Sequence, residues 1–268
     1  MNNQNLLEIT NLCRNFGGLK AVVNFTTTIK QGELVGLIGP NGAGKTTVFN
    51  LITGLYKPTS GSIKYLGVEI NNLKPHQIAQ KGITRTFQNI RLFASLSVLD
   101  NVRIAYHYKT HYQVIDAILH NRKFHEIEKE VKEKALTVLK IFNLSHRAGE
   151  IAKNLPYGEQ RRLEIARALV SAIESNENHP HLLLLDEPAA GMNPAEIKNL
   201  MELIQFIHKQ FKLTILLIEH QMRVVMSICQ RIIVMDFGEI ISQGTPQQIQ
   251  TDPKVIEAYL GKTTSQCN

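Results

Sequence analysis

A glycine-rich loop between an apolar strand and a helix limits what this chain can fold into more than any other feature. Residues 32–39, GELVGLIG, have the apolar run expected of a strand buried on both faces, and the loop GPNGAGKTT occupies 39–47. The spacing Gly-x-x-x-x-Gly-Lys-Thr in this context is typical of a phosphate-binding loop. It predicts an α/β fold with a mainly parallel sheet and a helix that begins near Lys45.

Each residue type in this loop has a physical reason to be there. The glycines let the backbone turn so that its N–H groups converge on phosphate oxygens, and the helix N-terminus adds a partial positive charge. Lys45 can reach β- and γ-phosphates, Thr46 offers a hydroxyl to Mg²⁺, and Thr47 can hold an α-phosphate oxygen. The predicted phosphate-binding residues are Gly39, Pro40, Asn41, Gly42, Ala43, Gly44, Lys45, Thr46 and Thr47.

Two acidic residues end another apolar strand. LLLLDEP at 182–188 places Asp186 and Glu187 at the carboxyl end of a strand, where an open α/β sheet forms its ligand crevice. Beside a phosphate loop, Asp186 is expected to hold Mg²⁺ through water, and Glu187 to orient or deprotonate the attacking water. The alternative is structural, with Asp186 capping the next helix and Glu187 lying near its dipole.

His220 and Gln88 are further candidates for the same crevice. His220 follows the apolar strand TILLI at 214–218 and Glu219, so it can donate to a γ-phosphate. A lone histidine at a strand end is more often a surface or capping residue. Gln88, in ITRTFQNIRLF at 83–93, can offer its amide oxygen to Mg²⁺ or water, but a single glutamine has no specificity and a surface position is the alternative.

The rest of the chain alternates short apolar runs with helical stretches. Residues 6–31 predict short antiparallel strands, and RIIVMDFGEIISQG at 231–244 predicts a hairpin that turns at Asp236–Gly238. Long, charged, helix-prone segments predict a helical sub-domain inserted into the sheet domain. The predicted boundaries are a core that carries the phosphate loop at 1–94 and 171–244, a helical sub-domain at 95–170, and C-terminal helices and a tail at 245–268.

The composition is that of a globular protein of 268 residues, with 43% apolar and 20% charged residues. No apolar run is long enough to span a bilayer and the N-terminus does not resemble a signal peptide, so we expect a cytosolic position unless a partner holds the chain at a membrane. The net charge of +7 comes from dispersed basic residues and indicates an ordinary solvated surface. Cys13, Cys229 and Cys267 favour free thiols, the first two buried.

The stretch LPYGEQRRLEIARAL at 155–169 completes a set of motifs that occur in one order. In the order of these motifs, the chain resembles the ATP-binding subunit of ABC transporters over about residues 6–261. The order is the phosphate loop, Gln88, LPYGEQ, the acidic pair and His220. The resemblance implies ATP and Mg²⁺ as cofactors and a head-to-tail dimer that sandwiches two ATP molecules. It implies that Phe16 stacks on adenine, that Gln88 is a sensor and Glu187 the catalytic base, and that His220 is a switch. The implied contacts to the partner's ATP are Tyr157, Gly158, Glu159 and Gln160.

Further segments are similar to one branch of this family, the importers of branched-chain amino acids. These segments are FGGLKAV at 16–22, the run from the phosphate loop to Gly61, RTFQNIRLF at 85–93, EPAAGMNPAE at 187–196 and VIEAYLG at 255–261. The branch implies a second ATP-binding subunit, in a heterodimer or else a homodimer, and two integral-membrane permeases. It also implies an extracytoplasmic binding protein as an indirect partner, no nucleic acid, and a peripheral position at the cytoplasmic face of the membrane. Importers of urea or amides and exporters of lipopolysaccharide share much of this branch, so their cargoes are the alternatives.

Two segments depart from the family pattern. Pro156 stands where the usual signature has a serine, which removes a hydroxyl donor but is tolerated in the first turn of a helix. The connection at 171–181 is longer than expected. Together with the dimer, Pro156 suggests unequal ATP sites.

The segment IRLF at 90–93 mixes apolar and basic residues, as a docking groove for a permease helix would. The alternative is that Leu92 and Phe93 belong to the core of the helical sub-domain.

Two other protein classes are disfavoured. A soluble cassette ATPase acting on DNA or the ribosome would need coiled-coil arms or a second cassette, and a binding-only subunit would not need the residues Lys45, Asp186, Glu187 and His220.

Overall fold

The computed structural model describes residues 4–107, 122–173 and 181–260. These residues form ten strands: β1 (Asn5–Phe16), β2 (Leu19–Lys30), β3 (Leu34–Ile38), β4 (Ser60–Tyr65), β5 (Val68–Glu69), β6 (Ile83–Arg85), β7 (Leu182–Asp186), β8 (Thr214–Ile218), β9 (Arg231–Asp236) and β10 (Glu239–Gly244). They also form nine α-helices: α1 (Lys45–Ile52), α2 (Pro75–Gln80), α3 (Val98–His107), α4 (Arg122–Ile141), α5 (Tyr157–Ile173), α6 (Pro194–Gln210), α7 (Met222–Ile228), α8 (Pro246–Thr251) and α9 (Pro253–Leu260). The described residues do not include most of the connection at 171–181 or the tail from residue 261, which contains Cys267.

The central sheet has six strands in the order β10-β9-β3-β8-β7-β6. Its strands run parallel except for β10, which pairs antiparallel with β9 in the predicted hairpin. Strands β3, β7 and β8 are buried along their whole length, which is why each appears in the sequence as a run of mostly apolar residues. Their carboxyl ends at Ile38, Asp186 and Ile218 lie side by side, so the segments that follow them share one edge of the sheet.

A second, antiparallel sheet has the order β2-β1-β4-β5. Strands β1 and β2 are each 12 residues long, so the prediction of short strands was wrong. Register shifts interrupt their pairing near Asn11, which has φ +48°, and close to Asn24, which has φ +47°. Bulges of this kind let the ladder bend and continue where regular pairing would otherwise end. The long hairpin brings the end of β1, Phe16, to its turn.

The central sheet separates two apolar cores. Leu34 and Ile38 of β3 face a core shared with helices α3 to α7, whereas Val35 and Leu37 face a core shared with α1 and the second sheet. Alternate residues of one strand serve opposite cores, as the two-residue period of a strand requires. The predicted helical sub-domain therefore shares its core with one face of the sheet.

The two described cysteines are free thiols in different surroundings. Cys229 is buried as expected, and this burial raises the pKa of its thiol to about 12. Cys13 is only half-buried, so the expectation that it packs as a small apolar group was wrong. Its Sγ donates to Asn24 Oδ1 at 3.4 Å, because the bulge in the hairpin opens the strands to polar partners.

Candidate nucleotide-binding site

The phosphate loop leaves the carboxyl end of β3 and enters α1 at Lys45. Two of its glycines leave no room for a side chain. A Cβ atom on Gly39, where φ is +151°, would lie 2.1 Å from the carbonyl oxygen of Met235, and one on Gly44, where φ is +98°, would lie 2.4 Å from that of Ala21. The loop is therefore pressed against the neighbouring β2 and β9 backbones, and glycine is required for steric as well as conformational reasons.

Lys45 lies across the start of this loop. Its Nζ donates to the carbonyl oxygens of Gly39 and Pro40, each at 2.8 Å, and the residue is buried. Burial lowers the pKa of Lys45, while the nearby carboxylates of Glu187 and Asp186 act in the opposite direction. The ammonium is therefore held where it can exchange carbonyl oxygens for phosphate oxygens.

Asp186, the last residue of β7, is buried and paired with an arginine that no motif had singled out. Arg85, the last residue of β6, donates from Nη2 to Asp186 Oδ2 at 2.6 Å, and from Nη1 to Asn50 Oδ1 of α1 at 2.6 Å. The side chains of Arg85 and Asp186 are 5% and 1% exposed. Burial raises the pKa of Asp186, and the hydrogen bond and charge of Arg85 oppose that rise. The alternative that Asp186 caps a helix is wrong, because Asn193 caps α6 instead.

The other oxygen of the Asp186 carboxylate fits a magnesium site. Oδ1 is buried and has no hydrogen-bond partner, which leaves it for an ion or for water bound to an ion. Gln88 uses its Nε2 for Glu187, and its amide oxygen is the atom that suits Mg²⁺. The described residues contain no cluster of three or more His, Cys, Asp or Glu side chains that could hold a metal alone. These donors fit an ion whose remaining ligands are phosphate oxygens and water.

Glu187 lies at the centre of three predicted residues that the fold brings together. Gln88 Nε2 donates to Glu187 Oε2 at 3.0 Å, and His220 Nε2 lies 2.7 Å from Glu187 Oε1. The backbone of Glu187 is in the left-handed region, with φ +47°, and its N–H donates to the carbonyl oxygen of Ile218 at 2.9 Å. Such a conformation is unfavourable for glutamate and is maintained by its surroundings, as often happens at functional sites.

A buried carboxylate behind His220 was missed from the sequence. Glu219 is 3% exposed and accepts the backbone N–H of Ala189 at 2.8 Å and that of His220 at 3.2 Å. Burial raises the pKa of Glu219, and these backbone hydrogen bonds oppose the rise. It ties the segment after Glu187 to the segment that carries His220. Its position between a buried strand and His220 is the sequence feature that could have identified Glu219.

Phe16 lies in a small aromatic cluster at the end of β1. Tyr56 meets its ring edge-on with centroids 5.2 Å apart, and the Arg14 guanidinium lies 4.5 Å from the ring centroid. Arg14 also donates to the carbonyl oxygen of Lys57 at 2.8 Å, which fixes its position over the ring. Phe16 remains 38% exposed, so part of its surface is open to stack on a base.

The signature stretch lies at the start of α5 and contacts the segment after Glu187. The ring of Tyr157 approaches Gly191, since a Cβ atom there would lie 3.3 Å from Cε1 of the tyrosine. Pro156 precedes the helix, one residue earlier than expected, and its carbonyl oxygen accepts the N–H groups of Glu159 at 2.9 Å and Gln160 at 3.0 Å. Among the described residues, the side chains of Glu159 and Gln160 bond to Arg147, Arg162, Lys153 and Leu155 rather than to the phosphate loop. These contacts hold the stretch against the residues just before it and against its own helix.

A groove of about 490 Å³ lies between the sheet and helices α3 and α5. Its lining includes Leu55, Ile78, Phe87, Arg91, Phe93 and Ile104. Phe93 is 45% exposed, whereas Leu92 packs against the core. The core interpretation therefore fits Leu92, which is partly buried, but not Phe93, which lines the groove.

Two family models match parts of this chain. The family model for "ABC transporter" matches residues 22–190, and that for "Branched-chain amino acid ATP-binding cassette transporter" matches residues 239–263. The chain is 45% identical over 259 residues to the high-affinity branched-chain amino acid transport ATP-binding protein LivG of Salmonella typhimurium, which covers 97% of this chain and 99% of the relative.

Two solved structures are also similar. The ADP conformation of MJ1267, an ATP-binding cassette of an ABC transporter, matches with TM-score 0.81 and 29% identity, covering 97% of this chain and 100% of that one. A dimeric post-hydrolysis state of the cassette MJ0796, bound to ADP and phosphate, matches with TM-score 0.74 and 26% identity, covering 90% of this chain and 99% of that one.

Proposed function

The chain belongs to the ABC transporter family as an ATP-binding, ATP-hydrolysing subunit, and from that premise we propose that it powers the import of branched-chain amino acids. The observation that carries the proposal is the 45% identity to LivG, which extends over nearly the whole of both chains. The match of residues 239–263 to a branched-chain amino acid family supports the same cargo. Urea or amides and lipopolysaccharide remain the alternative cargoes, with the same ATPase role.

In this proposal each site residue has its own role in ATP binding or hydrolysis. The phosphate loop and Lys45 bind the phosphates, and Phe16 stacks on adenine. Glu187 orients or deprotonates the attacking water. Its carboxylate is supported for that role by contacts to Gln88 at 3.0 Å and His220 at 2.7 Å, which fix it at the strand end. His220 donates to the γ-phosphate.

Mg²⁺, when bound, would neutralise phosphate charge and polarise the scissile bond. Thr46, Gln88 and Asp186 are the residues proposed to hold it. The partner-free oxygen Oδ1 of Asp186 supports this choice, because a buried carboxylate oxygen without a hydrogen bond is costly unless a ligand meets it.

ATP-binding subunits of this family dimerise and act with membrane permeases. We further propose a heterodimer with a second ATP-binding subunit, in which each signature stretch meets the other subunit's ATP. The exposed face of Tyr157 at the start of α5 is consistent with a contact outside this chain. Pro156 lacks the hydroxyl of the usual serine, so the partner's ATP would be held differently from this chain's own.

The groove beside Phe93 is the proposed docking site for a permease helix. Its lining includes the apolar side chains of Leu55 and Ile104, which are 45% and 36% exposed, together with the charged side chains of Arg91 and Arg167. Within the three described ranges, no helix has the length and hydropathy to cross a bilayer. We propose a peripheral position at the cytoplasmic face of the membrane, as for a subunit docked on permeases, with an extracytoplasmic binding protein delivering substrate to the permeases.

The decisive experiment co-purifies the chain with its permease partners, reconstitutes the complex and measures uptake of labelled leucine, urea and a short amide. ATP-dependent uptake of leucine alone supports the proposal, and uptake of another substrate alone assigns one of the alternatives. Replacement of Glu187 by Gln should trap bound ATP and reduce turnover by about 10²–10⁴-fold, as for the loss of a general base. Unchanged hydrolysis would overturn the role of Glu187 without affecting the cargo assignment.

A further inference from the structure

A buried arginine in α5 contacts both the signature stretch and the segment that carries Gln88. Arg161 is fully buried. Its Nη1 donates to the carbonyl oxygen of Phe87 at 2.6 Å, and its Nη2 donates to that of Gln88 at 2.7 Å and to the hydroxyl of Tyr157 at 3.2 Å. Arginine is almost never buried completely unless its charge is paired. The side chain is therefore a fixed link between these two segments.

Glu164, three residues further along the same helix, completes this link. Its Oε2 accepts from Arg161 at 2.8 Å, and its Oε1 accepts the backbone N–H groups of Phe87 at 3.3 Å and Arg91 at 3.2 Å. Burial raises the pKa of Glu164, and the charge of Arg161 opposes that rise. The two side chains together hold carbonyl and N–H groups of residues 87–91, named here the Gln88 loop.

Residues of α5 hold the backbone of the Gln88 loop. Arg167, six residues after Arg161 in the same helix, donates to the carbonyl oxygen of Arg91 at 2.5 Å. Within the described part of the chain, the hydrogen bonds of the loop's backbone run to Arg161, Glu164 or Arg167, whereas Thr86 just before it still pairs with the sheet. A movement of α5 would therefore carry the loop with it.

We propose that Arg161, held by Glu164, is a positioning residue that transmits the state of the partner's ATP site to this chain's own site. The signature stretch at one end of the link faces the partner's ATP. At the other end, Gln88 donates to Glu187 at 3.0 Å, so any displacement of the loop changes the surroundings of that carboxylate. The inference rests on the proposed function, because only in the dimer does the signature stretch meet ATP.

The test compares a double variant with a matched control in the assembled transporter. Arg161→Met with Glu164→Gln removes both charges together, so neither is left buried and unpaired. The control, Arg103→Met with Glu128→Gln, removes a partly exposed ion pair between α3 and α4, together with the pair of Arg103 and Asp100, and these pairs do not involve the Gln88 loop. Hydrogen–deuterium exchange is measured at 86–92 and 157–165, with ADP and with ADP–beryllium fluoride, which closes the dimer without hydrolysis.

In the native complex and the control, closure should slow exchange in both segments. In the double variant it should slow exchange at 157–165 but leave 86–92 unchanged, and kcat should fall by at least about tenfold while the KM for ATP stays within about twofold. A merely structural role would lower stability in both variants and leave the two segments coupled. The proposal is overturned if both segments still slow together in the double variant, if neither slows, or if its kcat equals that of the control. A native complex that closes and hydrolyses ATP but fails to take up leucine would count against the cargo instead.

Discussion

Removal of the Arg85 guanidinium should destabilise the fold strongly, and more so at alkaline than at acidic pH. Arg85 and Asp186 are 5% and 1% exposed and their charged atoms lie 2.6 Å apart. Replacement of Arg85 by Met keeps most of the side-chain volume but leaves a buried carboxylate without its cation. Breaking a buried pair on one side typically costs about 3–5 kcal/mol, a large part of the stability of an ordinary domain, which is about 5–15 kcal/mol.

The pH dependence follows from the protonation of Asp186. Burial already raises the pKa of this carboxyl group in the folded protein, and Arg85 opposes the rise. Without Arg85 the folded-state pKa should rise further above the value in the unfolded chain. A group with a raised folded-state pKa favours folding below its unfolded pKa, and that contribution is lost as the pH increases through the folded pKa. The cost of Arg85→Met should therefore be largest at about pH 8 and decrease towards about pH 5.

Urea denaturation followed by circular dichroism at both pH values gives the required free energies of unfolding. Arg122→Met is the control, because its pair with Glu126 is 92% and 64% exposed and should contribute little. Arg85→Met combined with Asp186→Asn should recover stability relative to Arg85→Met alone, since it removes the unpaired charge. The reasoning fails if Arg85→Met costs no more than Arg122→Met, or if its cost is the same at both pH values.

Two further substitutions test the phosphate loop and the signature stretch. Gly39→Ala places a Cβ atom 2.1 Å from the Met235 carbonyl oxygen, and strain of about 1–3 kcal/mol should weaken ATP binding by about 5- to 150-fold in calorimetry. Gly42→Ala, at φ +83° with open space around the new methyl group, should lose less, and equal losses would refute the steric argument. Pro156→Ser should leave turnover at this chain's own phosphate loop nearly unchanged in a defined heterodimer. A large effect at that loop, measured with the partner's site inactivated, would mean that the stretch belongs to the other site.

Patterns of adjacent residues made the phosphate loop and the buried strands predictable. The apolar runs LVGLI, LLLLD and TILLI are each buried along their whole length, so the strand ends that carry Asp186, Glu187 and His220 could be anticipated. The order of the strands could not, because it depends on pairings between segments far apart in the chain. Only that order explains why Gln88 and His220 meet at one carboxylate.

The burial of two arginines could not be predicted from the sequence. Arg161 and Arg162 are adjacent and identical in type, yet the first side chain is fully buried and the second is 26% exposed. Helical periodicity shows which residues share a face of the helix. It cannot predict that a buried face will accept a guanidinium, because the partners of that guanidinium include backbone groups of another segment. The same holds for Arg85, whose carboxylate partner lies 101 residues away along the chain.

The core shared between the central sheet and helices α3 to α5 has a consequence for how such chains can be recombined. Val102, Leu139 and Leu169 pack in one continuous cluster with Leu183 and Ile215 of the sheet. An exchange of residues 95–170 between relatives would cut through this cluster, and mismatched side chains would leave voids or overlaps. Residues 95–170 are contiguous in the chain but share their core with the sheet. Chimaeras should therefore tolerate an exchange of this region only when the sheet residues that face it are exchanged as well.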